Sequence, residues 1–187
     1  MFEITKKKYY NGKRERTENV KFSFHREETF MKKVIKFLPF ISAILGLVAL
    51  IALFLPAFTF AGKEFLGFTT VIGYTKKISG VGSFKLLSFS FMNLVTYLLA
   101  LAGIVLSVLT YVKKVKLFAW IAAGCLLLAG ILFFFVMPFS CVADGWTVVF
   151  GGKADKGLWK LGYGAVLAGV GSLLGAVSAA VYAFIEK

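Results

Sequence analysis

Residues able to do chemistry are few in this chain, and they stand apart from one another. There is one histidine, His25, in a charged N-terminal stretch. Cys125 and Cys141 stand 16 positions apart, about 24 Å along a helix. Bridged Cα atoms lie only about 4.4–6.8 Å apart, so the two cannot pair within one helix. Neither has a histidine at metal-ligand spacing, and both read as small apolar fillers. Asp144 and Asp155 stand near Lys153 and Lys156 and read as solvated charge. No phosphate-binding loop, nucleophile elbow, metalloprotease signature or carboxylate pair is spelled out. No catalytic residue, metal ligand or cofactor-binding residue is therefore expected, and an enzyme is not.

Two other patterns point to packing. Gly164, Ala168, Ser172, Ala176 and Ala180 recur every four residues, with Gly171, Gly175, Ala179 and Ala183 as a second row. Small residues at this spacing let helix backbones approach closely. Ala100, Gly103 and Ser107 form one candidate partner surface, and Ser42 with Gly46 another. The second pattern is an echo. Gly67-Phe68-Thr69-Thr70-Val71-Ile72-Gly73 is matched by Gly145-Trp146-Thr147-Val148-Val149-Phe150-Gly151: Gly, aromatic, Thr, any residue, Val, large apolar, Gly. Each copy follows an apolar run closed by a proline, Pro56 or Pro138, and precedes lysines and another apolar run. Alternation of large side chains reads as strand. On that reading Phe68 and Ile72 pack against Trp146 and Phe150, and the two loops touch.

The elements that must position these residues follow from composition. The chain has 187 residues, of which 59% are hydrophobic and 17% charged, with mean hydropathy +0.82. No Asp, Glu, Lys, Arg or His occurs in 37–62, 86–112, 117–143 or 161–185. A helix needs about 20 apolar residues to cross a bilayer core, and four runs meet that requirement. The expected fold is an all-α integral membrane protein with transmembrane helices at about 34–55, 86–112, 117–137 and 161–185. Its outer loops are 56–85 and 138–160, forming a small β-like extracytoplasmic cap. The echo divides the chain into two tandem hairpin repeats of the same orientation. The first run is too long for the apolar core of a signal peptide, which favours a retained helix.

The net charge of +13 would suggest nucleic acid in a soluble domain. Here the basic residues flank apolar runs, where they meet anionic lipid and fix orientation, so the expected partner is the lipid bilayer and no nucleic acid. Lysines on the two sides balance between residue 31 and the C-terminus. The dense Lys113-Lys114-Val115-Lys116 turn and the basic tail place both termini in the cytoplasm of a plasma-membrane protein. Asn93 and Thr96 are the most polar members of the second run, and Asn93 is expected near the headgroups, with an interhelical hydrogen bond as the alternative.

Residues 1–30 form a charged tail, expected to be disordered. Met31-Lys32-Lys33 reads as a bacterial membrane-protein start, and Arg26-Glu27-Glu28 can be encoded by a ribosome-binding sequence. Translation from Met31 is the alternative to a genuine tail. The abundance of Lys and Phe, whose codons are poor in G and C, suits an AT-rich bacterial genome.

The arrangement resembles that of claudin-type tetraspan proteins: four helices, termini inside, and a larger first outer loop with strands. The resemblance is confined to topology. The first outer loop lacks the Trp and cysteine pair of that family, and Gly157-Leu158-Trp159 lies in the other loop, so junction formation is not carried over. The expected function is non-enzymatic association as an accessory subunit or lateral scaffold, with a membrane-protein partner or as a homo-oligomer. The outer cap and the small-residue face of the fourth helix would make the contacts. The alternative is a subunit of a small oligomeric transporter or channel.

Overall fold

The computed structural model describes residues 33–60, 62–78, 82–140 and 159–185. The chain divides into two compact units, Met1–Phe37 and Leu38–Lys187. Of the first, only Lys33–Phe37 are described, as the opening turn of a helix. Everything below belongs to the second unit.

Four helices are long and apolar enough to cross a membrane: α1 Lys33–Phe54, α3 Phe91–Lys113, α4 Lys116–Phe133 and α6 Tyr163–Ile185. The ends of α1, α3 and α4 have local reasons. The last turn of α1 tightens to a 3-10 turn at Ala52–Phe54, and Leu55 is extended at φ −100°, ψ 159°. Leu55 precedes Pro56, whose ring excludes helical geometry from its neighbour. Ser90 caps α3, its hydroxyl accepting from the Asn93 N–H, which satisfies one of the free amides of the first turn. α3 closes on Lys114 in the left-handed region at φ 53°. α4 breaks at Phe134 because Pro138, four residues on, has no N–H to offer the Phe134 carbonyl. A separate short helix, α5, follows at Val136–Phe139.

From Leu38 onward neighbouring helices run antiparallel. Going up α1, Ser42, Leu45 and Leu55 lie beside Gly175, Gly171 and Gly164, going down α6. Tyr97 and Gly103 of α3 meet Phe133 and Leu126 of α4. Gly130 of α4 meets Leu173 of α6, and Trp120 meets Phe184. The long helices therefore form an up-down-up-down bundle in which α1 and α4 each touch both α3 and α6.

The segment after α1 folds at one end of this bundle. It comprises strands β1 Pro56–Phe60 and β2 Lys63–Leu66, a short helix α2 Gly67–Ile72, and strands β3 Tyr74–Ile78 and β4 Gly82–Leu87. β1 is the central strand of a three-stranded antiparallel sheet, with β2 on one side and β5, Trp159–Leu161, on the other. Thr59 pairs with both Glu64 and Lys160. β3 and β4 form a separate hairpin. Phe58, Phe60 and Phe65 are buried in one cluster with Ala52, Tyr97, Phe133, Val136, Ala165 and Ala168. The sheet thus shares its core with the end of the bundle.

The first copy of the echoed motif is helical, and this corrects the expected strand. Gly67, Thr70 and Val71 are buried, a spacing of three and four that puts them on one helical face. Phe68 and Ile72 are 47% and 56% exposed, so they do not face the interior. Over six residues, strand alternation and helical spacing predict overlapping sets of apolar positions, and periodicity cannot separate them. The flanking glycines decide. The Gly73 φ of 97° closes a helix as an L-residue rarely can.

Candidate functional site

All six candidate packing residues of α6 are buried: Gly164, Ala168, Gly171, Ser172, Gly175 and Ala176. Three of them lie against α1 and the chain just after it. A Cβ at Gly171 would lie 3.0 Å from the Leu45 carbonyl, and one at Gly175 3.1 Å from that of Ser42. A Cβ at Gly164 would meet the Leu55 side chain and the Pro56 carbonyl, each at 2.8 Å. The Ser42–Gly46 surface does receive α6. The Ala100–Gly103–Ser107 surface serves α4 instead, with Gly103 against Leu126. The small-residue face of α6 is filled by the chain's own α1, so the expectation that it meets a partner is replaced by an internal seam.

Leu126 is the residue the sequence does not single out. It is fully buried, and glycines on three other helices make room for it. Its side chain comes within 3.3 Å of a Cβ position at Gly46, 2.6 Å at Gly103 and 3.3 Å at Gly175. In a run of leucines nothing marks this one. The available signal was the three glycines, which hold one depth on α1, α3 and α6.

Hydroxyls line the same seam. Ser42 Oγ donates to the Gly175 carbonyl at 2.8 Å and lies 3.1 Å from Ser107 Oγ. With its single proton on Gly175, Ser42 must accept from Ser107. Ser178 Oγ donates to the Leu38 carbonyl at 2.9 Å. Thr110 returns its proton to Leu106 within its own helix. Ser172 Oγ is buried without a partner.

A second polar centre lies where α2, α3 and α5 converge. Asn93 is fully buried and serves as a hydrogen-bonding residue between elements. Its Nδ2 donates to the Thr70 carbonyl at 3.1 Å, the Val136 carbonyl at 3.3 Å and Ser140 Oγ at 3.3 Å. Two carbonyl partners fix which end of the amide is nitrogen. Its Oδ1 has no partner. Beside it, Ser90 Oγ donates to the Phe139 carbonyl, and Ser140 Oγ to that of Val136. Thr96 Oγ1 donates to the Met92 carbonyl at 2.9 Å. One side chain of α3 therefore ties together the elements that follow α1 and α4.

In the cap, Phe58 stacks on Phe65 with centroids 5.1 Å apart, and Phe65 meets Tyr74 edge-on. Lys63 Nζ sits 4.2 Å from the Tyr74 ring centroid and donates to its hydroxyl at 2.9 Å. The segments that follow α1 and α4 do meet among the described residues, through the β1–β5 pairing. Of the cap candidates, Gly67, Thr69, Val71 and Gly73 join Phe68 and Ile72 in or beside α2. Gly145, Trp146, Thr147, Val149, Phe150 and Gly151 lie outside the described residues. Among the described residues no group of His, Cys, Asp and Glu could hold a metal ion. Neither a family model, a curated protein nor a solved structure matches this chain.

Proposed function

We propose that this is a non-enzymatic integral membrane protein that acts by lateral association, as an accessory subunit or scaffold in the plasma membrane. It is built from two tandem hairpins, α1 with α3 and α4 with α6, and both termini are cytoplasmic. The observation that carries the reading is how the buried polar groups are used. The donors of Asn93, Ser42 and Ser90 serve bonds between elements, which close the bundle, and that of Thr96 serves its own helix. Outward, the helices present Ile44, Leu47, Leu101, Leu128 and Val177, all exposed. Small and polar inside with large and apolar outside suits a lipid-embedded helix bundle.

The tandem-repeat reading has its own support. Rotation about the bundle axis that exchanges the hairpins carries the α1–α6 contact onto the α4–α3 contact. Both contacts use glycines of a descending helix, Gly171 and Gly175 in one and Gly103 in the other.

The transporter alternative would enlist Asn93 and Thr96 as polar path residues, yet their donors are bound to carbonyls of neighbouring turns. A photoreactive residue placed at Val177 and, separately, at Gly175 separates the two readings. Association predicts adducts with another membrane protein or a second copy from 177 and none from 175, with no solute flux in reconstituted vesicles. Flux that is abolished by Asn93→Ala or Thr96→Val, without adducts at 177, overturns it in favour of transport.

A further inference from the structure

The short helix α2 has features that a surface turn in water does not require. Three of its last four carbonyls have partners within the protein. The Thr69 carbonyl accepts from the Gly73 N–H at 2.9 Å, that of Thr70 from Asn93 Nδ2, and that of Val71 from the Ser90 N–H at 3.0 Å. Its hydroxyls are bonded too, Thr69 Oγ1 donating to the Leu66 carbonyl and the buried Thr70 Oγ1 to that of Gly67. In water the terminal carbonyls of a helix are solvated without such help. Where water is scarce each one must find a partner. Yet the other face of this helix presents Phe68 and Ile72 outward.

The depth of α2 is fixed by its bonds to two long helices. The Gly67 N–H donates to the Leu55 carbonyl at 3.0 Å, one residue past the end of α1. The Ser90 N–H that bonds Val71 lies one residue before α3. Asn93, which bonds Thr70, is the third residue of α3, about 3–5 Å along its axis. α2 is therefore level with the ends of the apolar spans. Phe54 and Phe91, at those two helix ends, are exposed as well. Amphipathic helices at a membrane surface sink their apolar face about 5–10 Å into the headgroup and acyl boundary, which is this level.

We propose that α2 is an interfacial helix whose Phe68 and Ile72 enter the acyl-chain boundary of the bilayer leaflet at this end of the bundle. The proposal rests on the membrane reading given above and adds to it a lipid-contact site within an outer loop. It holds the loop at the membrane surface.

Depth-dependent fluorescence quenching tests it. The native Trp120, Trp146 and Trp159 are replaced by Phe, and a single tryptophan is introduced by Phe68→Trp, by Ile72→Trp or, as control, by Leu101→Trp in the middle of α3. The proteins are reconstituted in phosphatidylcholine–phosphatidylglycerol vesicles containing lipid spin-labelled near the headgroup or deep in the chain. Tryptophan at 68 or 72 is expected to be quenched about twofold more by the shallow label than by the deep one, with little quenching by aqueous acrylamide. The control is expected to favour the deep label. Quenching of 68 and 72 by acrylamide alone places α2 in water and overturns the proposal. Protection from both lipid labels and acrylamide means that protein covers the face, either residues 145–151 or a second copy, and overturns it equally. Failure of lipid to quench the control would instead remove the membrane reading itself.

Discussion

Leu126 shows how a single side chain can set the spacing of a bundle. Three glycines on three helices face it, so its isobutyl group fills the volume their missing side chains leave. Leu126→Ala opens a cavity that backbones already in close approach cannot collapse to fill, and a loss of about 2–5 kcal/mol is expected. Leu127→Ala and Leu128→Ala remove the same atoms from exposed positions and should each change stability by no more than about 0.5 kcal/mol. Denaturation in mixed detergent micelles compares the three. Asn93 makes a different case, because its contribution lies in its donors rather than its volume. Asn93→Ala leaves the Thr70 carbonyl buried without that donor, at a cost of about 1–2 kcal/mol. Asn93→Asp keeps the shape but aims an acceptor at two carbonyls, and it is expected to be the more destabilising of the two. Equal losses in the same unfolding assay would mean that the amide donates little.

At the scale of elements, the legible part was whatever a long window averages. Four charge-free runs of more than 20 residues leave few alternatives to apolar helices, and the prolines after α1 and α4 mark where they stop. The small-residue rows of α6 were equally readable, because a four-residue period sustained over five positions defines a face. What such a row faces was not readable. Ser42 and Gly46 compete with Ala100 and Gly103 for it, and three-dimensional packing decides between them. The motif at 67–73 failed for want of length, and the partners of Asn93 were hidden because position along a run says nothing about which neighbours approach it from other runs. The strand partner was hidden for a related reason: Trp159–Leu161 is three residues long and lies 99 positions from Phe60 at its nearest pairing end. A double variant tests that pairing directly. With Cys125 and Cys141 replaced by Ala, Thr59→Cys with Lys160→Cys places two thiols directly across an antiparallel pair, about 4.5–5.5 Å apart at Cβ. Mild oxidation is expected to join them, seen as faster migration on non-reducing gels. Thr70→Cys with Lys160→Cys should stay reduced, since Thr70 lies on the buried face of α2 and does not pair with β5.

On the membrane reading proposed above, the molecule as a whole must also choose a direction, and here charge and architecture constrain each other. With four antiparallel helices, α6 ends at Ile185 on the side opposite the end of α1 at Phe54. That side then also holds the α3–α4 turn, and the opposite side holds β1 to β5. Lysines occur at both ends, so their number alone decides little, whereas their distribution differs. Lys113, Lys114 and Lys116 crowd a turn with no acidic neighbour, while Lys63 in the cap adjoins Glu64 and is engaged by Tyr74. Short basic turns are the ones retained in the cytoplasm, so the cap is expected outside. Cysteine labelling checks this without altering any charge. In a background lacking Cys125 and Cys141, Val115→Cys probes the turn and Thr75→Cys the cap, both at exposed positions. A membrane-impermeant maleimide applied to intact cells should modify position 75 and spare 115 until the cells are permeabilised. The reverse pattern inverts the orientation while keeping the four spans. Labelling of both positions from outside is incompatible with a single span connecting cap to turn, and it would remove the four-span arrangement on which the lipid-contacting role of α2 depends.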